Sequence, residues 1–333
     1  MSPSVSVKLR GRVTLRVGGK RVSLTNDVSS DFALALAKAI LVGTGPTGAY
    51  TSGFSLPSGV VIVLLNNSSV VATIQANISK FNDSMQNNGE LTSVTFVGSD
   101  ATPSQYTFDS LELYTVVGNV LYMKVAYVNL PSPVTKNQND IVEVTWVEEV
   151  LSSGPFYMFE SQGLACSNCT STCNYSLISQ YPTKALVPNI IWSLMLIPGL
   201  NKVVQKVSCP IAPYVSQYYN AYLASGSPPE ISGVTSVVLT DQCLNVLATV
   251  QVQSPIVTFS VSEDKAVVAM AMFITPSQPP YYAFPVFTVQ GLFSLWLAQV
   301  QVYNPSGVSA GQLSIVVEVP YGKPTLEALN VGE

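Results

Sequence analysis

The residues that could do chemistry are few and loosely spaced. Glu148 and Glu149 stand together, with Glu112 upstream. Two carboxyl groups at a fixed separation can work as acid and base on a glycosidic bond. Sequence sets no separation among these three, and exposed acids are the plainer reading. Histidine is absent. That removes the commonest general base, the Ser/His and Cys/His nucleophile pairs and most zinc sites. There is no nucleophile elbow and no P-loop. No catalytic residue, cofactor or metal is assigned, and the chain is expected not to be an enzyme.

Cys166, Cys169 and Cys173 form a C-x2-C-x3-C cluster, with Cys209 and Cys243 elsewhere. Three thiolates could begin a metal or iron–sulfur site. Disulfide staples in a loop-rich segment are the simpler reading. Five is odd, so at least one thiol stays free or pairs between chains, and the partners are not assignable. Gly43-Thr-Gly-Pro-Thr-Gly48 matches a dinucleotide fingerprint literally. That fingerprint needs a strand before it and a helix after it. Here a helical pattern precedes it and Pro46 interrupts it, so it reads as a loop leaving a helix. Asn66, Asn67, Asn77, Asn82, Asn168 and Asn174 each begin an N-x-[ST] sequon. Modification there would require a surface position.

Charge is sharply segregated. Lys8, Arg10, Arg12, Arg16, Lys20 and Arg21 are six of the 15 basic residues, and no arginine follows Arg21. Residues 1–30 hold six bases against one acid, and the remainder holds nine against eighteen. Alternation with Val7, Leu9, Val13 and Leu15 would place most of these cations on one face of a strand. Either the segment is an arm anchoring on an acidic partner surface, or it is a charged guard on an exposed edge.

The elements that must position these groups are overwhelmingly strands. Val13–Val17 and Val22–Leu24 flank Gly18-Gly19, a two-residue hairpin signal. Alternation continues through Val60–Leu65, Val70–Ile78, Leu91–Val97, Tyr106–Thr115, Val120–Val128 and Ile141–Val147. Short strands rich in Val, Ile, Thr and Tyr at this spacing predict an all-β sandwich or jelly roll. One helix is expected over Asp31–Leu41, capped by Ser30 or Asp31 and ended by Gly43.

The pattern repeats. Ser58-Gly-Val recurs at Ser232, Ala72-Thr-Ile-Gln at Ala248, Thr102-Pro-Ser-Gln at Thr275, Tyr114–Gly118 at Phe287, Pro131-Ser at Pro305 and Ile141-Val at Ile315. The offsets are 174, 176, 173, 173, 174 and 174, in unbroken order. Shared strand composition would not keep that order, so two copies of one β domain are expected. The organisation predicted is a basic hairpin or arm at 1–30, a first β-sandwich at 31–150, an insert at 151–227 and a second β-sandwich at 228–333. The insert holds the cysteine cluster, and Tyr214–Leu223 within it is a second helix candidate.

Hydrophobic residues make up 47% of the chain and charged ones 10%, with a mean hydropathy of +0.35. The longest apolar run, Ala185–Leu200, lies between Lys184 and Lys202 and contains Pro188, Asn189 and Pro198. A spanning helix needs ~20 mostly apolar residues, so no transmembrane segment is expected. Met1–Lys20 has no apolar core of a secretory signal. Scarcity of charge suits an acidic exterior, where protonated carboxylates make poor salt bridges. The surplus of apolar residues then points to contacts between subunits.

The layout resembles the vertex and turret proteins of turreted icosahedral archaeal viruses from hot acidic springs. The resemblance rests on Val13–Leu24, the Asn26–Phe32 helix start, Val60–Ile78 and the Val94–Leu113 strands with Gly98-Ser-Asp100. It implies tandem jelly rolls, assembly into a capsid projection with itself and other virion proteins, and contact with host surface glycans or a receptor. No specific nucleic-acid recognition is expected. Two other readings stay open. One is an extracellular archaeal filament or S-layer component, which needs an export signal. The other is a carbohydrate-binding sandwich, for which Tyr281-Tyr282 is a weak indication.

Overall fold

The computed structural model describes residues 4–44, 55–86, 89–153, 187–196, 203, 211–226, 229–240, 246–274, 282–289, 291–296, 300–301 and 311–321. These form sixteen strands and three helices, an all-β class. The first eight strands are β1 (Ser4–Val17), β2 (Lys20–Val28), β3 (Gly59–Asn66), β4 (Ser69–Gln86), β5 (Gly89–Asp100), β6 (Tyr106–Val117), β7 (Val120–Lys136) and β8 (Val142–Ser153). They pair in the order β1-β2-β7-β6-β3-β4-β5-β8, and β8 returns to β1. The ring is closed, which leaves it without a sheet edge. β2 and β4 turn its corners. β2 follows β1 as far as Asn26 and joins β7 at Asp27–Val28. β4 pairs with β3 up to Ala76 and with β5 from Asn77. β3 to β6 make one Greek key in the order β6-β3-β4-β5.

The basic N-terminal segment is therefore no appended arm. β1 pairs with β8 from Ser6 opposite Ser153 to Val17 opposite Val142, and this pairing closes the ring. Alternation accounts for it. Val7, Val13, Leu15 and Val17 fill the interior, so β1 is part of the core.

The remaining strands are β9 (Ile231–Thr240), β10 (Val246–Gln251), β11 (Gln253–Val261), β12 (Lys265–Ile274), β13 (Tyr282–Val289), β14 (Phe293–Trp296), β15 (Val300–Gln301) and β16 (Gly311–Pro320). Their pairings repeat the first set. β9 lies between β10 and β13 as β3 lies between β4 and β6, and β12 lies between β11 and β16 as β5 lies between β4 and β8. Register recurs as well. Phe81 faces Val94 and Val257 faces Met270; Lys80 faces Thr95 and Ile256 faces Ala271. Two sequence matches do not keep register. Val60 faces Thr115, whereas its match Val234 faces Phe287 and not Thr288. Val94 faces Glu148, whereas its counterpart Met270 faces Ile315, so Ile315 stands at the place of Glu148 and not of Ile141. The two halves also share a sheet, because β16 runs parallel to the start of β1, with Ser4 facing Val316.

The first helix, α1 (Ser30–Val42), starts one residue before the expected cap, on Ser29. Eight of its residues are buried. A helix apolar on nearly every side must be enclosed. Sequence order places it with the first β unit, yet it packs mainly against β12, β16 and β9. Its end explains Gly43. A Cβ there would lie 2.0 Å from the Ile231 carbonyl oxygen, and one on Gly233 would lie 2.5 Å from that of Leu41. The two backbones touch, so the start of the glycine-rich motif is a packing contact. The second helix, α2 (Val187–Leu196), is the central part of the long apolar run, and all ten residues are buried. It packs on α1, β5 and β8. The third, α3 (Ala212–Ser225), covers the expected Tyr-rich helix and ends at Gly226 in the left-handed conformation. Among the described residues, no helix is long and apolar enough to cross a membrane.

Candidate functional site

The outward face of β1 collects the cations. Lys8, Arg10, Arg12 and Arg16 are exposed and alternate with the core residues. Across the β8 seam, Arg10 Nε donates to Glu149 at 2.6 Å, and Arg16 stands 3.9 Å from Glu143. Arg12 faces Val147 and Lys8 faces Leu151, so neither meets a carboxylate opposite. On the other side Arg16 faces Arg21 of β2 directly. Like charges directly opposed across strands are unfavourable. Lys20 lies at the exposed hairpin end. All six predicted cations thus belong to one hairpin, with Lys8, Arg10, Arg12, Arg16 and Arg21 on one sheet face.

That face ends in a concavity of about 490 Å³ lined by Thr14, Arg16, Arg21, Asn77, Ser99, Glu143 and Thr145, with Val97, Gly98 and Val144. Two guanidinium groups, three hydroxyls, an amide and the Glu143 carboxylate line it. Guanidinium and hydroxyl groups hold oxyanions or hydroxyl-rich groups, and Glu143, 3.9 Å from Arg16, opposes an anion there. Exposed pairs such as Arg16–Glu143 contribute little to folding and are screened by salt, so the face is suited to exchanging partners.

The candidate acids do not form a pair. Glu148 points into the ring and is 2% exposed, Glu149 points out to Arg10, and Glu112 sits on β6 bonded to Lys124 at 2.7 Å. Glu148 is held by Trp146 Nε1 at 2.6 Å and Asn26 Nδ2 at 2.8 Å. Burial pushes its carboxyl up to about 8, against those two bonds and with a further push from Glu149. Asn26 Oδ1 has no partner among the described residues. A neutral, buried carboxylic acid at moderate pH is a structural group unless a substrate reaches it.

Two more buried polar knots escaped sequence reasoning. Asn189 of α2 donates to Thr92 Oγ1 at 2.7 Å and to the Glu90 carbonyl at 3.1 Å, and accepts from Ser152. It ties the helix to the ring, and its polarity inside an apolar run was the available signal. Lys136 is fully buried and donates to the carbonyls of Thr102 at 2.5 Å and Ser104 at 3.1 Å. Beside it the Tyr106 hydroxyl donates to Asp100 at 2.5 Å. Burial alone would raise the Asp100 carboxyl, but the bonds from Tyr106 and Thr102 outweigh it and hold it below its ordinary value. Together these groups lash the β5–β6 corner.

Asn67, Asn77 and Asn82 are exposed and Asn66 is half-buried. The sequons at Asn168 and Asn174, all five cysteines, and Tyr281 lie outside the described residues. Among the described residues, no three His, Cys, Asp or Glu side chains are grouped to hold a metal ion.

No family model matches the chain. It is similar to an uncharacterised protein of Sulfolobus islandicus filamentous virus (isolate Iceland/Hveragerdi), 29% identical over 98% of this chain and 96% of the relative. A second uncharacterised protein of that virus is 28% identical over 58% of this chain and 67% of its own length. A protein provisionally named as transmembrane, from Acidianus filamentous virus 2 (isolate Italy/Pozzuoli), is 21% identical over 81% of this chain and 84% of the relative. These relatives support an archaeal viral origin. They belong to filamentous viruses and lend no support to the turreted icosahedral resemblance.

Proposed function

We propose that the chain is a structural protein of an archaeal virus particle and works by assembly, with copies of itself and other virion proteins as partners. The observation that carries this reading is the full-length relative in a filamentous virus, matched over 96% of its length. The arrangement of side chains favours assembly over catalysis. The carboxylates that could have paired lie on opposite faces of β8 or on strands of the ring that do not adjoin, β6 and β8. The ring interior is filled by Trp146, Phe81, Phe96 and Phe108. What is offered to a partner is surface, namely the basic face and its concavity. A partner with acidic groups fits that face, since the rest of the chain is net acidic. A place at a fivefold vertex is not part of the proposal, because the relatives come from filamentous particles. Host contact through the exposed face or sequon-bearing strands is a secondary role of the same surface. Antibody labelling of purified particles tests the reading. Label along or at the ends of the particle is expected; label confined to unassembled cell fractions would overturn it.

A further inference from the structure

Strands at the edge of a sheet are normally guarded by charge, proline or a cover, because their unpaired amide and carbonyl groups recruit other strands. β11 is such an edge, paired with β12 alone among the described residues. The molecule supplies its own comparison. β11 occupies the place that the second half of β4 holds in the first unit, and the registers correspond residue by residue. Lys80 faces Thr95 as Ile256 faces Ala271; Asn82 faces Ser93 as Thr258 faces Ala269; Asp83 faces Thr92 as Phe259 faces Val268.

The exposed lysine of the first unit is missing from the second. Lys80 is replaced by Ile256, 54% exposed, and Phe259, 52% exposed, stands where the half-buried Asp83 accepts from Thr92. Val261 is 49% exposed, and Phe273 on β12 is 52% exposed. No charged residue occurs from position 242 to 262. The β4 strand is protected in a second way, since it turns a corner of the closed ring, whereas β11 ends the shared sheet among the described residues. One buried residue still anchors β11 in place: Val257 is 7% exposed opposite Met270. The free edge is thus a held strand and not a frayed one. Pro255 and the positive-φ Ser254 confine its flat part to Ile256–Val261.

We infer that Ile256–Val261 of β11 is an assembly edge that pairs with a second copy of this chain, strand against strand. A second copy is the fitting partner for two reasons. Antiparallel pairing of an edge with itself about a two-fold axis needs only one surface. β11 itself carries no charge, and the cation beside it, Lys38 of α1, is held over the Phe259 ring at 4.2 Å, so two copies meet without the repulsion that Lys80 at the equivalent position of β4 would impose. The inference rests on the assembly reading for its choice of partner and gives that reading a specific contact.

The test is sedimentation of the full-length protein across a range of concentrations, with thermal melts run alongside. Wild type is expected to self-associate. Ile256→Lys, which restores the residue found at the matching place of β4, and Thr258→Lys should each weaken association by roughly tenfold or more. Both positions are exposed, so the melts should coincide with wild type. Asn82→Lys, at the matching place on β4, should leave association unchanged. A wild type that is monomeric throughout, or that binds only a different virion protein, would overturn the inference. So would association unaffected by both β11 variants; self-assembly through another surface would then stand, and the assembly reading with it.

Discussion

Asn26 reaches Glu148 across Gly11. The three residues lie side by side on β2, β1 and β8, and the Asn26 amide spans the middle strand to donate to the carboxyl at 2.8 Å. Only a residue without a side chain permits it. A Cβ on Gly11 would lie 2.1 Å from Asn26 Oδ1 and 2.7 Å from Glu148 Oε1. At the matching place of the second unit stands Ile315, fully buried, so the position accepts an apolar residue readily. The acid therefore marks the seam where β1 joins the ring.

Gly11→Ala should destabilise the protein by about 1–3 kcal/mol, the usual cost of overpacking a filled site. Denaturant unfolding would show it as a lowered midpoint at unchanged slope. The double variant Gly11→Ala with Asn26→Ala should recover part of the loss, since the clashing amide is gone.

Glu148 should make stability fall as pH rises. Its carboxyl is pushed from 4.5 to about 8 by burial, so the folded state holds the proton more tightly than the unfolded chain. The stability it adds is complete below about pH 4.5 and is lost as pH climbs through about 8. Glu148→Gln keeps an oxygen for Trp146 and Asn26 and removes the titration. Its melting temperature should vary less than that of wild type between those two pH values and exceed it at the upper end. An equally steep fall in the variant would contradict the assignment.

Much of this was legible in the alternation of residues. Trp146-Val147-Glu148-Glu149 puts its acids on opposite faces of a strand, and Val7 to Val17 against Lys8 to Arg16 separates core from surface. The repeat was legible because strands that pair in the same register keep the same spacing. What sequence did not carry was contact between distant segments. Asn26 and Glu148 are 122 positions apart. Nothing local in α1 says that its apolar sides fill the second unit, or that β1 closes the first. Asn189 stood out only as a polar break, because its three partners come from other strands.

Lys136→Met should cost about 2–4 kcal/mol. It removes the two bonds that the buried Lys136 ammonium makes to the carbonyls of Thr102 and Ser104, and a hydrogen bond to a charged group is worth ~1.5–3 kcal/mol. Hydrogen exchange should accelerate first around the β5–β6 corner at 101–105.

Removing residues 1–24 should unfold the first unit, because β1 and most of β2 form its seam. Replacing Arg10, Arg12, Arg16 and Arg21 with Ser should instead leave the melt nearly unchanged and lower the affinity of the protein for the particle. High salt should reduce wild-type attachment in the same way, over a screening length of about 8–10 Å. A quadruple variant that incorporates normally would reduce the basic face to edge protection.

The central claim, that this chain is a building part of a virus particle, is tested most directly by quantitative mass spectrometry of purified, protease- and nuclease-washed particles. The account predicts the chain in every preparation, at a fixed ratio to the other particle proteins. Its absence from washed particles, while abundant in infected cells, would contradict the account.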